Sequence, residues 1–233
     1  MTLQACDIDV HLPGFELLRQ INLCLQPGQI TAIVGPNGAG KSSLLKVLTG
    51  DLEVTFGAVL LNGKELNDWP LKQRAQMMAV LPQHTPLNFP FNAREVVELG
   101  RIPHGTGKVR DREIANDALA AVDGSYLVKR AYTQMSGGEK QRVQLARVLT
   151  QVWEPCSFGD RYLLLDEPTS AFDLSHQLIT LDIVTRCASE GVGVLIVLHD
   201  LNLAARCADN LIVMTCGQIA AQGKPTDILS EAL

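Results

Sequence analysis

The stretch over residues 29–50, QITAIVGPNGAGKSSLLKVLTG, constrains the fold more than any other part of the chain. An apolar, β-branched run at residues 30–34 reads as a buried strand. It enters a glycine-rich turn and leaves it as an amphipathic helix carrying Leu44, Leu45, Val47 and Leu48. Gly35, four residues, then Gly40, Lys41 and Ser42 fit G-x-x-x-x-G-K-[ST], a spacing in which small residues let backbone N–H groups close around phosphates. Gly35, Pro36, Asn37, Gly38, Ala39, Gly40, Lys41, Ser42 and Ser43 are therefore the candidate nucleotide-binding residues. Lys41 would reach the β/γ-phosphates and the Ser42 hydroxyl a magnesium ion. The helix opening at Lys41 adds its partial positive charge and unpaired N–H donors. An ordinary strand-turn-helix with a flexible glycine corner could contain the same glycines. The strand on one side and the amphipathic helix on the other argue against that, because they are the context the motif requires.

The rest of the chain is placed relative to this stretch. With 233 residues, 46% of them hydrophobic, it can bury a sizeable core as one large domain or a domain with an insert. Residues 5–12 and 15–25 alternate polar and apolar around Pro13-Gly14 and predict an antiparallel β-layer. A strand at 57–62, a turn at Asn62-Gly63, a helix from Trp69-Pro70 to about Met77 and a buried strand at 78–81 follow. From residue 92 to about 149 helical periodicity takes over (Val96, Val97, Leu99; Ile114, Ala118, Leu119, Val122; Val143, Leu145, Ala146, Leu149), with 104–108 as a flexible link. Strand patterns resume at 162–165 and 193–198, and 211–215 with 218–222 form a closing hairpin through Cys216-Gly217. The expected class is α/β: one domain over 1–233, with a nucleotide-binding core (1–85 and 151–233) and a helical subdomain (86–150). The last seven residues open a helix about one turn before the chain stops.

A net charge of -5 gives no sign of a nucleic-acid partner. With no charged-then-apolar leader and no uncharged apolar run long enough to cross a bilayer, the protein is expected to be cytosolic, or peripheral to a membrane through another subunit. Cys6, Cys24, Cys156, Cys187, Cys207 and Cys216 lie far apart without a C-x-x-C pair and read as reduced thiols.

Two further stretches carry chemistry. Residues 162–168, YLLLDEP, are an apolar strand ending in carboxylates. Strands of a parallel sheet end on one edge, so Asp166 would sit near a magnesium held by Ser42, in part through water, and Glu167 could polarise a water for attack on the γ-phosphate. The competing reading is that the two acids cap the following helix, with Pro168 in its first turn. At residues 135–139, MSGGE, Ser136, Gly137, Gly138 and Glu139 precede a strong helix and make a second anion site, or simply a well-capped helix. One nucleotide has one triphosphate, and the chain offers two cradles; the second can be used if two chains face each other head to tail.

These motifs, in this order and spacing, resemble the nucleotide-binding subunit of an ATP-binding cassette (ABC) transporter over nearly the whole chain. The resemblance implies a P-loop NTPase fold: a RecA-like core, an antiparallel β layer and a helical insert. It implies ATP and Mg2+ as cofactors. By the same likeness Gln83 is the loop glutamine that meets the magnesium and the membrane subunit, and residues 135–139 are the signature that closes on the partner's ATP. Ser170 and Asp173 belong to the loop that crosses the dimer. His199, which alone would pass for a structural histidine after a strand, is the switch residue near the γ-phosphate. The partners implied are a second copy of the chain, an integral-membrane permease dimer and, indirectly, a periplasmic substrate-binding protein, at the cytoplasmic face of a bacterial inner membrane. Departures from the family pattern are Met135 and Phe172, where Leu is usual, Glu139, where Gln is usual, and Leu12, where an aromatic often stacks on adenine.

Residues 87–91, 98–104, 153–161 and 198–206 resemble importers of haem, with importers of ferric siderophores and vitamin B12 sharing much of them. The motion implied is closure of two chains over two Mg-ATP, pulling on permease helices through the surface around residues 83–101, and reopening on hydrolysis. Two other classes compete. A soluble cassette ATPase usually carries two cassettes or a long coiled insert, and a non-hydrolysing nucleotide module would not need Lys41, Asp166 and Glu167 together.

Overall fold

In the computed structural model the described residues are 1–233 except His84, Thr85, Pro86, Asn88, Ala171, Ala232 and Leu233. The expected subdomain boundary at residue 86, part of the 87–91 run, Ala171 of the dimer loop and the final two residues lie outside the described residues. The chain opens with β1 (Leu3–Leu12) and β2 (Phe15–Leu25), an antiparallel pair turned at Gly14. Then come β3 (Ile30–Val34), α1 (Lys41–Thr49), β4 (Phe56–Leu61), β5 (Lys64–Glu65), α2 (Leu71–Met77) and β6 (Met78–Leu81). The helical stretch holds α3 (Ala93–Glu98), α4 (Lys108–Ala121) and α5 (Gly137–Gln151). The chain finishes with β7 (Tyr162–Asp166), α6 (Leu174–Ser189), β8 (Gly193–Val197), α7 (Leu201–Cys207), β9 (Asn210–Thr215), β10 (Gln218–Gly223) and α8 (Pro225–Glu231).

The strands form two sheets. One is antiparallel, in the order β2-β1-β4-β5; the other runs β10-β9-β3-β8-β7-β6, parallel except for β10. The parallel strands are buried along their whole length at β3, β7 and β8, which is why they read as continuous apolar runs. Their side chains alternate between two cores. Ile33, Leu164, Leu195 and Val197 pack with Leu44, Leu45, Val47 and Leu48 of α1 and with the antiparallel sheet. Ala32, Leu163, Leu165, Val194 and Ile196 face the other way, onto α5, α6 and their neighbours. Helix α1 is therefore clamped between the sheets, and its amphipathic stripe follows from that position. Truncating a fully buried residue such as Leu164 to Ala would cost about 2–5 kcal/mol.

Helix α5 begins with a reciprocal capping box: the Ser136 hydroxyl accepts from the Glu139 N–H, and the Glu139 carboxylate accepts from the Ser136 N–H. The link at 104–108, expected to be flexible, is tied down. The fully buried Arg101 donates to Asp111, Glu154, the Thr106 hydroxyl and the Thr150 carbonyl, and the His104 ring bonds the Gln151 carbonyl. Composition suggested looseness there because these partners lie on α4, on α5 and beyond, out of reach of a local reading.

Candidate functional site

Four strand ends meet on one edge of the parallel sheet. β3 runs into the glycine loop, β7 ends at Asp166, β8 is followed by Leu198 and His199, and β6 by Pro82 and Gln83. Leu81 pairs with Leu165, and both Asp166 and Ile33 pair with Val197, so the ends emerge at one level. Between them lies a cleft of about 410 Å3 lined by Asn37, Gly38, Ala39, Gly40, Lys41, Ser42 and Ser43 together with Leu17, Gln83, Glu167 and His199. That is within the usual size of a small-molecule site, about 300–1,000 Å3.

The loop is shaped for phosphate. Gly35 is held so close to the neighbouring strand that a Cβ on it would lie 2.2 Å from the Met214 carbonyl oxygen, and its φ of 147° belongs to glycine. Lys41 is buried, and its ammonium donates to the carbonyls of Gly35 (2.8 Å) and Pro36 (2.9 Å), fixing the loop's curvature. Gly40 precedes α1 without a side-chain cap, which leaves the first-turn N–H groups of α1 facing the cleft.

The carboxylates behave differently from one another. Asp166 is buried; burial pushes its carboxyl above the usual range, while the Ser42 hydroxyl and the Lys41 ammonium pull the other way. Its Oδ1 has no hydrogen-bond partner among the described residues. A buried carboxylate oxygen without a partner, beside a serine hydroxyl, suits a hard divalent cation that takes oxygen ligands. Glu167 is reached from two sides: Gln83 donates to Oε2 at 2.8 Å, and His199 Nε2 lies 2.5 Å from Oε1. Its φ is 50°, the left-handed region that costs a non-glycine residue about 1–3 kcal/mol. The surroundings hold it there. Ser170 donates from both N–H and hydroxyl to the Glu167 carbonyl, and Gln141 of α5 donates to the Pro168 carbonyl at 2.8 Å.

The reading in which Asp166 and Glu167 cap the next helix is overturned. That helix, α6, starts at Leu174, and its cap is Asp173, whose carboxylate accepts from the His176 N–H at 2.9 Å. Pro168 lies well outside it because the chain first passes through a loop.

The second cradle is separate. None of residues 136–139 lines the phosphate-loop cleft; Gly137 faces a smaller cleft of about 260 Å3 with Gln83, Asp166, Lys140, Gln141 and Ser170. Its side chains bond one another. Ser136 and Glu139 satisfy one another, and Arg130 donates to the Glu139 carboxylate at 2.7 Å. The backbone bond from Ser136 holds the Glu139 carboxyl below the usual range, so the residue is an anion spent on its own cap. Ser136 and Gly137 are exposed at this helix start, and the Ser136 hydroxyl, which only accepts in the box, keeps its own O–H.

Leu12 and Phe15 are exposed on the β1–β2 hairpin and do not line the cleft; Leu17 does. Strand alternation could have pointed to it, but the cleft wall is formed only when β2 packs beside the loop.

Comparison with known proteins meets this geometry. The family model described as ABC transporter matches residues 18–170. The chain belongs to the ABC transporter family. It is 51% identical to the hemin import ATP-binding protein HmuV of Gloeobacter violaceus, over 98% of this chain and 84% of that protein. It is 48% identical to the protein of the same name from Pseudomonas aeruginosa, over 96% and 87%. Among solved structures it is similar to a bacterial ABC transporter cassette determined as a dimer (TM-score 0.84, 25% identity, 96% and 98% covered). It is also similar to a transporter of the metal-chelate type in an inward-facing conformation (TM-score 0.80, 28% identity, 98% and 85% covered). The fold is the ABC ATPase cassette, and the chain is an ATP-binding ATPase subunit coupled to transport. No helix among the described residues is long and apolar enough to cross a membrane.

Within this cassette the structure brings together the loop residues, Gln83, Glu167 and His199 in one cleft; Ser136, Gly137, Gly138 and Glu139 do not line it, and Gly137 lines a neighbouring cleft that shares Gln83. Sequence reasoning missed Gln141, Arg142, Tyr126 and His176, polar residues that bind the signature helix to the segment after Glu167. Their partners are up to 34 residues away in the chain, so no local pattern announces them.

Proposed function

We propose that this cassette is the ATP-hydrolysing subunit of a haem importer, working as a head-to-tail pair with two nucleotides at the shared face. The observation that carries the pairing is that residues 136–139 do not line the cleft of residues 37–43: the exposed start of α5 at Gly137 lines a neighbouring cleft, and in this reading its first-turn amides meet the triphosphate that a second chain presents. Supporting it is the likeness to a cassette solved as a dimer.

In this reading the loop amides and Lys41 bind the phosphates, and Ser42, Asp166 and Gln83 hold Mg2+, in part through water. The ion supplies charge neutralisation at the γ-phosphate. Glu167 accepts a proton from the attacking water, and His199, hydrogen-bonded to it, holds the terminal phosphate and the glutamate in register. Ser170 and Asp173 meet the partner across the interface. Residues 86–150 act as the helical unit that closure carries, and the surface around residues 83–101 receives a membrane permease at the cytoplasmic face of a bacterial inner membrane, with a periplasmic binding protein delivering cargo on the other side. Haem as cargo rests on the names and identity of the relatives. The likeness to a metal-chelate transporter makes a ferric siderophore or vitamin B12 the competing cargo.

Glu167→Gln tests the reaction. The variant should bind ATP normally, accumulate as an ATP-bound pair, and turn over at least about a hundredfold more slowly; rapid turnover would remove Glu167 as the base. Cargo is tested by ATP-driven uptake into vesicles carrying the cassette and its permease. Haem uptake unaffected by excess siderophore or B12 supports the proposal, and uptake of either of those in place of haem overturns it.

A further inference from the structure

The signature helix α5 and the dimer loop are far apart in sequence, yet the structure joins them through one ring. Nε2 of His176 lies 2.8 Å from Nη1 of Arg142, and Nδ1 lies 2.8 Å from Oδ1 of Asp173. A guanidinium only donates, so Nε2 must accept; the ring proton is then on Nδ1 and is donated to the Asp173 carboxylate. The same ring sits 5.9 Å, centroid to centroid, from Phe172 of the loop.

On its far side Arg142 is buried and donates to the Asp123 carbonyl (3.1 Å) and the Tyr126 hydroxyl (2.5 Å). The Asp123 carboxylate stands 3.7 Å from Arg142 and 4.0 Å from His176. The Tyr126 hydroxyl is in turn 3.5 Å from Glu139, the carboxylate that closes the cap on Ser136. A run of polar contacts thus leads from the signature cap, through Tyr126, Arg142 and His176, to the loop that faces the partner.

Capping does not account for the imidazole. The Asp173 carboxylate already caps α6 through the His176 backbone N–H at 2.9 Å, so the side-chain bond is additional. Packing beside Phe172 would be served by any ring and does not account for the polar contacts at both ring nitrogens. What the ring adds is a bridge between α5 and the loop.

We propose that His176 is a positioning residue for ATP hydrolysis: through Arg142 and Asp173 it locks the dimer loop to the signature helix, so that both meet the second copy in one fixed relation. This rests on the paired-chain reading above. Losing the lock would leave each chain's own phosphate loop intact and spoil the geometry of the closed pair. The signature of such a role is a fall in kcat with ATP affinity of the single chain unchanged.

The test uses the full chain with its permease and three substitutions. His176→Leu removes both polar contacts. His176→Asn keeps a donor for Asp173 but is too short to reach Arg142. His176→Gln carries its amide oxygen to about where Nε2 stands and accepts from Arg142. Leu and Asn should each lower kcat about tenfold, the scale of losing a hydrogen bond to a charged partner, and Gln should recover most of it. ATP binding by the single chain should stay the same in all of them. Wild-type kcat in Leu or Asn overturns the proposal. So does an equal loss in all the variants that tracks a common fall in melting temperature, since that is a packing defect. Pairing is read separately by sedimentation of Glu167→Gln with ATP. If those chains never pair, the shared-site reading and this proposal both fall; if they pair and the His176 variants turn over normally, only the lock is lost.

Discussion

The chain contains two places built to meet an anion, and they are built in opposite ways. Around Gly35 to Ser42 everything converges: a buried lysine, a helix start with no side-chain cap, an Asp166 oxygen with no hydrogen-bond partner among the described residues, and Glu167 held by Gln83 and His199. At the start of α5 the Glu139 carboxylate is taken up by the Ser136 N–H and by Arg130, while Ser136 and Gly137 themselves stay exposed. The glycines differ in the same sense. A Cβ on Gly35 would collide with its own chain, whereas one on Gly137 would meet nothing within 4 Å. Gly35 is small for the sake of this fold. In the paired-chain reading proposed above, the space beside Gly137 is where the second chain's nucleotide would enter, just as Gly38, whose Cβ would also meet nothing within 4 Å among the described residues, is open toward the nucleotide of its own chain.

The largest effect should come from the complete cradle. Lys41→Ala removes the ammonium that bends the loop and meets the phosphates, and turnover should fall on the order of a hundredfold or more. Steady-state phosphate release measures it. Retention of even a tenth of wild-type turnover would mean that the loop amides alone carry the binding, and the contrast between the cradles would shrink.

Gly137→Ala should separate folding from function. With nothing near the added methyl group and no positive φ required, the isolated chain should keep its stability or gain about 0.4–1 kcal/mol in thermal unfolding. Turnover should still drop by about tenfold or more, because the methyl group enters the space reserved for the partner's nucleotide. A variant as active as wild type would return α5 to the status of a well-capped helix. Mixing sharpens the point. Chains carrying only Lys41→Ala and chains carrying only Gly137→Ala should regain turnover when combined, because one of the two composite sites in the mixed pair is then whole. A mixture no better than its parts would argue that each chain acts alone.

Sequence carried the architecture far and the couplings poorly. The runs at 30–34 and 78–81 coincide with β3 and β6 because short apolar runs buried on both faces are a local signal: the first is β-branched and bounded by turns, and the second ends at Pro82. The loop residues and the ends of β6, β7 and β8 reach one cleft because parallel strands share an edge. What stayed hidden depends on packing between distant segments: the strained backbone of Glu167, the anchoring of Arg101, the cleft wall at Leu17, and the Arg142–His176–Asp173 bridge. Glu139 is the instructive case. As a letter in a motif it looked like a residue offered to a nucleotide. In the fold its charge is consumed by Ser136 and Arg130.

That consumption makes the smallest and most specific prediction. The Glu139 carboxyl titrates below its ordinary range because the Ser136 N–H favours the charged form. A carboxyl lowered on folding stabilises the cap fully at pH values above the unfolded carboxyl range, and that contribution is lost as pH falls through the folded value. The protection of the first-turn amides of α5, their exchange relative to the intrinsic rate at the same pH, should therefore fall in the acid range in wild type, ahead of any global unfolding. Gln at this position can still accept from the Ser136 N–H, completing the same capping box, but cannot be protonated. Glu139→Gln should leave turnover near wild type at neutral pH and abolish the acid-dependent loss of protection in that turn. If the acid limb persists unchanged in the variant, the titrating group lies elsewhere and the cap does not depend on the carboxylate's charge. If turnover at neutral pH collapses instead, the Glu139 carboxylate acts on the nucleotide after all, and the capping box with Arg130 does not account for its charge.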